Sequence, residues 1–219
     1  AVITISEFSK REITERLRVD PARVHVIPPG IDAPPAAASG DAAHVLYVGS
    51  IFNRRRIPDL VAAFSLVAAR HPDAHLHLVG DDRSFPSEHI GELVANGPHA
   101  ARIHWHRYVP DAELRELYRQ ARAFVFLSEY EGLGLTPMEA LAGGIPALLL
   151  DTPVARESCG DAAVYVARGA VADTAASLEA LLYDERLRSR LLTEAPRTLA
   201  RYDWTRAGRD TLQLLESMA

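Results

Sequence analysis

Two glutamates and two glycines lie close together in residues 128–146, in a pattern that suits binding of an anionic ligand. Glu131 stands directly before Gly132, and Glu139 follows Glu131 with seven residues between them. Gly132 and Gly134 let the backbone turn tightly and approach a ligand closely, because neither carries a Cβ. The glutamate pair alone is a weak signal, since two glutamates at this spacing often arise by chance.

The residues on either side of this glycine loop predict a strand before it and a helix after it. Residues 123–127 form an apolar run of the length expected for a buried strand. Thr136 is predicted as the helix N-cap, Pro137 as the first helical residue, and Glu139 as the acidic residue three positions after the cap. Free N–H groups and the positive end of the helix dipole would then converge at the loop, which predicts an anion site. The alternative for Glu139 is a capping role alone, with about 1 kcal/mol of helix stability.

Three consecutive arginines, Arg54, Arg55 and Arg56, follow a predicted strand at residues 45–48. Arginine is permanently charged, and its planar guanidinium can pair with two phosphate oxygens at once. Because adjacent like charges repel, the triplet needs either solvent or an anion. From these residues alone, a solvated loop before a helix is the more frequent explanation.

Strands and helices alternate through the middle of the chain. The predicted strands are 45–48, 75–79, 103–106, 123–127, 146–150 and 163–166, and the predicted helices are 57–69, 87–95, 111–120, the helix after the glycine loop, 171–183, 185–200 and 204–218. This alternation predicts right-handed crossovers and an α/β fold with a doubly wound parallel sheet. Ligands of such sheets bind beyond the carboxyl ends of the strands, and each motif above follows a strand.

The opening residues predict a separate unit before this alternation. Residues 1–5 are strand-like, Ser6 is a suitable N-cap for a helix over residues 7–17, and residues 24–27 predict a short strand. Residues 33–43 are rich in Pro, Ala, Gly and Ser, which is typical of a linker. Because the chain opens on a strand with no turn or cap before it, we expect an earlier part of the protein to precede it.

Composition excludes several classes of protein. The 219 residues carry 24 Lys and Arg against 29 Asp and Glu, a formal charge of −5 that disfavours a general nucleic-acid binder. The single cysteine, Cys159, excludes an intrachain disulfide and fits a reducing compartment. No apolar run approaches the roughly 20 residues that span a bilayer, and no signal-peptide pattern is visible. The glycine fingerprint of dehydrogenases, the P-loop and the Gly-x-Ser-x-Gly nucleophile motif are absent.

Two sets of polar residues contain potential metal ligands, but we expect other roles for both. The Asp81-Asp82 pair offers fewer oxygens than a hard cation requires, so capping or turn formation is expected there. The pairs His75-x-His77 and His104-x-His106 each face one side of a predicted strand. Zinc would need four ligands to converge from separate strands, so we expect ordinary surface histidines and no metal site.

The glycine loop and its flanks resemble the signature of glycosyltransferase family 4, whose members are retaining enzymes of the GT-B fold. The likeness lies in Glu131, in Gly-Leu-Gly-Leu at 132–135, in Glu-Ala-Leu-Ala at 139–142 and in Gly-x-Pro at 144–146. Two earlier motifs, Thr-x-Ser-Glu-Phe-Ser-Lys and Val-Ile-Pro-x-Gly-Ile-Asp, look like the end of the family's first domain and its hinge. The resemblance covers nearly the whole chain from Thr4, with mild departures at Pro29, Leu127, Leu133 and Gly143.

The resemblance implies a role for each candidate residue. Glu139 would hold the ribose hydroxyls of a nucleotide sugar, and Glu131 would lie near the sugar and the phosphates. Arg54 and Arg55 match the Arg-Lys pair that grips the diphosphate, with Arg55 in place of the usual lysine, and Glu157 matches a glutamate of structural role. The expected catalytic residues are Glu131, Arg54 and Arg55, and the expected substrate-binding residues are Ser50, Gly132, Leu133, Gly134, Leu135, Glu139, and, at the base, Tyr108 and Val109.

The resemblance also implies the function and the organisation of the protein. It implies transfer of a sugar, with a mannose-type hexose the first choice, from a nucleoside diphosphate sugar to a glycan or glycolipid acceptor, with retention and without a cofactor or metal. Residues 1–43 would be the end of an N-terminal acceptor domain and a hinge, 44–200 the donor-binding domain, and 201–219 a crossover helix. A cytoplasmic location is expected, with no nucleic-acid partner, and peripheral membrane association of the full-length protein stays open. The alternatives are a nucleotide-sugar epimerase of the same fold and a non-catalytic nucleotide-binding module.

Overall fold

The computed structural model describes residues 1–34, 36 and 43–218. In these residues, eight strands form two parallel sheets. The strands are β1 (Val2–Thr4), β2 (Val24–Val26), β3 (Ala43–Val48), β4 (Ala74–Val79), β5 (Ile103–His106), β6 (Ala121–Phe126), β7 (Ala147–Leu150) and β8 (Ala163–Val166). β1 pairs with β2 in a small sheet, and the other six strands form the large one.

Helices connect these strands and follow the last one. They are α1 (Glu7–Leu17), α2 (Ile57–Ala68), α3 (Ile90–Ala95), α4 (Asp111–Gln120), α5 (Leu135–Ala142), α6 (Pro153–Cys159), α7 (Val171–Tyr183), α8 (Glu185–Leu199) and α9 (Trp204–Glu216). α2 packs against α3 and α7, while α5 and α6 pack against α8. The large sheet is thus flanked by two groups of helices, as the predicted crossovers require.

The order of strands in the large sheet creates one switch point. All six strands are parallel and lie in the order β5-β4-β3-β6-β7-β8. The chain runs outward from β3 to β5 and then returns to the other side of β3 with β6. This confirms the predicted doubly wound α/β fold. In such a sheet the neighbouring carboxyl ends of β3 and β6 border the crevice in which ligands bind.

The core lies between the large sheet and its helices. The four residues of β7 are all buried, as expected for a central parallel strand that is covered on both faces. Large side chains that are almost completely buried include Tyr47, Phe64 and Phe124. Burial of these strands fixes the sheet rigidly, so the loops at its carboxyl edge start from defined positions.

The helix after the glycine loop begins two residues earlier than predicted. α5 starts at Leu135, and Gly134 occupies the N-cap position with a φ of 85° and no side-chain capping bond. Glycine adopts this left-handed conformation without a steric cost. Pro137 is tolerated as the third helical residue, since the first turn needs no N–H donor. The predicted capping box of Thr136 and Glu139 was therefore wrong.

Two other helices differ from the sequence prediction, whereas α4 begins at Asp111 as predicted, with Pro110 at the N-cap position. α3 begins at Ile90, three residues after the predicted start. α6 was not predicted at all, although Thr152 caps it by accepting from the N–H of Ala155 at 3.3 Å.

The opening segment forms the predicted strand, helix and strand. α1 has the predicted bounds, and Ser6 caps it. The linker at residues 33–43 lies mostly outside the described residues, so the division at residue 43 stays a prediction. Within the described part of the chain, no helix is long and apolar enough to cross a membrane.

Candidate functional site

A cavity of about 290 Å³ opens at the switch point, beyond the carboxyl ends of β3 and β6. Its wall includes Gly49 and Arg55 from the turns after β3, and Glu131 and the glycine loop from the segment after β6. The topology therefore brings together two motifs that are separated by about 75 residues of sequence. This is the crevice in which a doubly wound sheet binds its ligand.

Arg55 is the central cation of this cavity. It is only 9% exposed, and its guanidinium lies 4.3 Å from the centre of the Phe126 ring. Arg55 forms an ion pair with Glu131, while its Nε has no hydrogen-bond partner among the described residues. A short helical turn over Asn53–Arg55 holds it in place, and the N–H of Glu129 donates to the Arg54 carbonyl at 2.9 Å. Arg55 thus places a positive charge in the cavity wall.

The other two arginines of the triplet have different surroundings. Arg54 lies over the Phe52 ring at 4.5 Å and forms no ion pair within the described residues. Arg56 pairs with Asp59 at 2.8 Å and with Glu129 at 3.6 Å. Of the triplet, Arg56 is paired with two carboxylates, Arg54 has no carboxylate partner within the described residues, and Arg55 lies in the cavity wall.

Glu131 is held between Arg55 and a hydroxyl. Its Oε1 accepts a hydrogen bond from Ser128 Oγ at 2.6 Å, in addition to the ion pair with Arg55. Its side chain is 19% exposed, so it reaches the cavity from a mostly buried position. The sequence did not single out Ser128 as a partner of Glu131.

The glycine loop presents free backbone donors at the same place. The N–H groups of Gly132, Leu133 and Gly134 have no hydrogen-bond partner within the described part of the protein. The first N–H groups of α5 follow directly, and they lack intrahelical partners as in any helix. Leu133 is buried at 2% exposure, whereas Leu135 is 41% exposed. Together with the positive end of the α5 dipole, these donors are suited to binding an anion.

The first turn of α1 packs directly on this loop. Ser6 Oγ and Ser9 Oγ donate to the Gly132 carbonyl at 2.5 and 3.0 Å. The Glu157 carboxylate accepts from the N–H groups of Glu7 and Phe8 at 2.7 and 2.8 Å, which confirms its structural role. Ile5 also lines the cavity. Sequence reasoning missed this arrangement, because it placed residues 1–43 in a different unit.

Glu139 lines a second cavity, of about 210 Å³, next to the first. The cavity is also lined by Asp32, Pro34, Asp111 and Tyr118. Burial and, to a smaller extent, the charge of Asp32 raise the pKa of Glu139. Because α5 begins at Leu135, Glu139 lies within the helix and its carboxylate does not cap it. Its carboxylate is therefore free to accept hydrogen bonds from a ligand.

The remaining predicted site residues are more scattered. Ser50 follows Gly49 at the end of β3, and its carbonyl accepts from Tyr47 OH at 3.2 Å. Tyr108 is 84% exposed and Val109 is 7% exposed. Neither of these two residues lines either cavity.

The potential metal ligands contact other groups of the protein. Asp82 accepts from the N–H and Oγ of Ser84 at 2.9 and 2.7 Å, as expected for turn formation. His75 and His104 contact each other at 3.1 Å between Nδ1 and Nε2. In the described part of the chain, no group of three or more His, Cys, Asp or Glu side chains is arranged to hold a metal ion.

Comparison with known proteins gives matches in sequence and in fold. The sequence profile of the family described as glycosyl transferases group 1 matches residues 32–198. O-antigen chain mannosyltransferase B of Escherichia coli is 32% identical over 119 residues, which are 54% of this chain and 31% of that protein. GDP-mannose:cellobiosyl-diphosphopolyprenol alpha-mannosyltransferase of Xanthomonas campestris is 27% identical over 198 residues, 85% of this chain and 50% of that protein. The chain spans about a third or less of the first curated relatives it matches.

Solved structures share the fold at low sequence identity. Anabaena HepE in complex with UDP-glucose has a TM-score of 0.85 and 15% sequence identity. The match covers 99% of this chain and 63% of the HepE chain. TarM has a TM-score of 0.81 and 16% sequence identity. The match covers 98% of this chain and 43% of the TarM chain.

Proposed function

Because the chain belongs to the glycosyl transferases group 1 family, we propose that it binds a nucleoside diphosphate sugar as the donor half of a retaining family 4 glycosyltransferase. The observation that carries this proposal is the convergence of Arg55, the free N–H groups of the glycine loop and the start of α5 in one cavity. The Arg55 guanidinium and a set of fixed dipoles at one point suit a diphosphate, and Arg54 on the same helical turn would add a second cation.

The diphosphate is the leaving group of the reaction. When the bond between the anomeric carbon and the diphosphate oxygen breaks, negative charge develops on the phosphates. Arg54, Arg55 and the N–H groups of the loop would stabilise this charge, since their positions are fixed before the reaction. Glu131 would remain beside Arg55. Its carboxylate would orient the sugar and offset the positive charge that develops at the anomeric carbon.

The nucleoside would occupy the neighbouring cavity. Glu139 is four residues beyond Leu135, which corresponds to about 6 Å along the helix axis. That separation suits a ribose whose 5′-diphosphate lies at the start of α5. The Glu139 carboxylate would accept hydrogen bonds from the ribose hydroxyls, and residues 108–109 would contact the base.

A mannose-type sugar and a glycan or lipid-linked acceptor are the substrates that we propose. Several curated relatives are mannosyltransferases by name, including the two from Escherichia coli and Xanthomonas campestris described above. The acceptor would be held by an N-terminal domain, with residues 1–43 as its end and its hinge. The crossover helix at residues 201–219 would return to that domain.

Donor binding should not need a divalent metal, since Arg54, Arg55 and the α5 dipole already supply positive charge at the phosphates. Calorimetric titration of GDP with and without a chelator measures this directly. Equal affinity in both buffers is expected. Binding that is lost in chelator and restored by magnesium or manganese would contradict the metal-free site.

A panel of nucleotides tests the proposed function as a whole. GDP, UDP and ADP, and the corresponding monophosphates, are titrated into the protein and followed by thermal shift and calorimetry. At least one diphosphate should bind, and its monophosphate should bind more weakly because it lacks the second phosphate at Arg54 and Arg55. Absence of binding for every diphosphate, in a protein that melts cooperatively, would reject the donor site.

A further inference from the structure

The first turn of α1 is tied to the donor cavity by more contacts than packing of a neighbouring helix requires. The N–H of Ser9 donates to Ser6 Oγ at 2.9 Å, which caps the helix. The two preceding N–H groups of the turn, those of Glu7 and Phe8, both donate to the carboxylate of Glu157 on α6. Tyr130 OH donates to Glu12 on α1 at 3.1 Å. The contacts of Glu157 and Tyr130 join α1 to α6 and to the residue directly before Glu131.

Two hydroxyls of this turn meet at one carbonyl of the glycine loop. Ser6 Oγ and Ser9 Oγ both donate to Gly132 O, and Ser6 is completely buried. A carbonyl oxygen has two lone pairs, so these two bonds satisfy it fully. The trans peptide is planar, and its N–H points opposite to its C=O. Holding the Gly132 carbonyl on the α1 side therefore turns the Leu133 N–H away from α1, on a residue that lines the cavity.

We propose that Ser6 and Ser9 are positioning residues of the donor site, which fix the Leu133 N–H in the orientation that binds the donor's phosphates. This inference rests on the proposed function for the identity of the ligand. Glycine at position 132 leaves the loop free to rotate, because it lacks a Cβ and the conformational limits that a Cβ imposes. The two serines remove that freedom in the folded protein. They act from more than 120 residues away in sequence.

The packing of α1 on the glycine loop also brings an apolar side chain, that of Ile5, to the cavity. A Cβ built on Gly132 would lie 3.6 Å from both Ile5 Cδ1 and Ser9 Oγ, so the loop and the start of α1 are in close contact. Ile5 forms part of the cavity wall beside Glu131. Residues 5–9 thus contribute both a wall and an anchor to the cavity, although they were assigned to a different unit from the sequence.

Substitutions at the two serines separate positioning from stability. Ser9→Ala removes one bond to Gly132 O and leaves the cap of α1 intact, since the cap uses the backbone N–H of Ser9. The double change Ser6→Ala and Ser9→Ala removes both bonds and the cap. Thr14→Ala is the control for Ser9, because Thr14 Oγ1 donates to a carbonyl within α1 at 2.9 Å. Asp203→Ala is the control for Ser6, because Asp203 caps α9 from its N-terminal position.

GDP and UDP are titrated into each variant, and the Leu133 amide resonance is compared in ligand-free protein. We expect Ser9→Ala to weaken binding severalfold and the double variant about tenfold, as the loss of one or two hydrogen bonds predicts. The Leu133 amide should shift in both variants, Ser9→Thr should restore both readouts, and the controls should change neither. A melting temperature that falls equally in the double variant and in Asp203→Ala would show that capping explains the stability loss.

The outcomes distinguish this inference from the proposed function. If wild-type protein binds a diphosphate and the serine variants bind it equally well, the positioning role is overturned and the donor site stands. If wild-type protein binds neither probe, the proposed function fails, and the ligand-free amide readout decides alone. In that case an unmoved Leu133 resonance in the double variant overturns the positioning role, and a moved one upholds it.

Discussion

Arg55 and Glu131 form a charge pair inside the cavity that a phosphate ligand would also use. The pair is mostly buried, with side chains 10% and 19% exposed, so both charges have given up much of their hydration. Glu131 is also the acceptor for Ser128 Oγ, and Arg55 has a free Nε. The pair therefore holds each charge in position in the cavity wall.

Arg55→Gln should impair both ligand binding and stability. Loss of charge-assisted bonds to a phosphate should weaken diphosphate binding at least tenfold. Leaving Glu131 without its cation should lower the free energy of unfolding by about 3 kcal/mol. Denaturant melts and calorimetry measure the two effects. Arg56→Gln is the matched control, since Arg56 contacts Asp59 and not the cavity, and equal loss of affinity in both variants would contradict the assignment of Arg55.

Glu139→Gln should weaken nucleotide binding without loss of stability. The charge-assisted bonds to ribose should account for about 1–3 kcal/mol of binding free energy. Burial and Asp32 raise the pKa of Glu139, so its charged form is disfavoured in the folded protein and a neutral side chain should melt at the same or a higher temperature. Protonation of Glu139 removes the charge that strengthens its bonds to the ribose. The affinity of the wild-type protein should therefore weaken as the pH falls through the raised pKa of Glu139. A lower melting temperature with unchanged affinity would restore the capping explanation.

Histidines of three adjacent strands form a row on one face of the large sheet. The row contains His44 on β3, His75 and His77 on β4, and His104 and His106 on β5, with neighbouring ring centres 4.7 to 5.7 Å apart. Burial, then the neighbouring histidines, lowers the pKa of His77 to about 3 and lowers the pKa of His44 and His104. Glu113 of α4 is the nearest acidic group, 3.8 Å from His106.

Acid should therefore destabilise the fold through this histidine row. A histidine whose pKa is lowered by folding takes up protons more readily when unfolded, so stability is complete above about pH 6.5 and falls as pH drops towards 3. Urea melts at pH 7.5 and pH 5 should show this loss, and His77→Gln should reduce it. His89→Gln, with its ring 67% exposed, is the control. An unchanged pH dependence in His77→Gln would remove the row as the cause.

The accuracy of sequence prediction followed the strength of the local pattern. The bounds of α1, α4, α7, β5 and β8 were predicted correctly; Ser6 marks the start of α1, and short runs with apolar residues mark the two strands. α5 was displaced because its cap is a glycine in the left-handed region, and Thr136 offered a stronger conventional signal. α6 was missed because its seven residues are too short to show a helical period.

The site could be predicted only where one local motif carries it. Arg55, Glu131 and the glycine loop stand in recognisable motifs, and the switch point brings them together as expected. The contacts of Ser6, Ser9 and Glu157 join segments more than 120 residues apart, and no local pattern marks them. Such contacts follow from packing of whole elements, which a single sequence does not display.

At the scale of the whole molecule, apolar side chains remain exposed at the two chain ends. Leu17 at the end of α1 is 70% exposed, and Leu212 and Leu215 of α9 are 57% and 52% exposed. Ala207 is the buried residue of α9 within the described part of the helix. These exposed residues are consistent with the proposed contact of the crossover helix with an acceptor domain.

Sugar transfer by this chain should depend on the acceptor domain that we propose. Retaining transfer needs donor and acceptor held together in a cleft that excludes water, because orientation supplies much of the acceleration. The cavities described above are those that we propose for the donor, and the acceptor is assigned to the proposed N-terminal domain. We therefore expect this chain to bind a nucleoside diphosphate and to transfer no sugar, whereas a protein that joins it to the proposed acceptor domain transfers it. Assays of both proteins with the same radiolabelled GDP-mannose and lipid-linked acceptor measure the difference, and comparable turnover by the 219-residue chain would refute the two-domain arrangement.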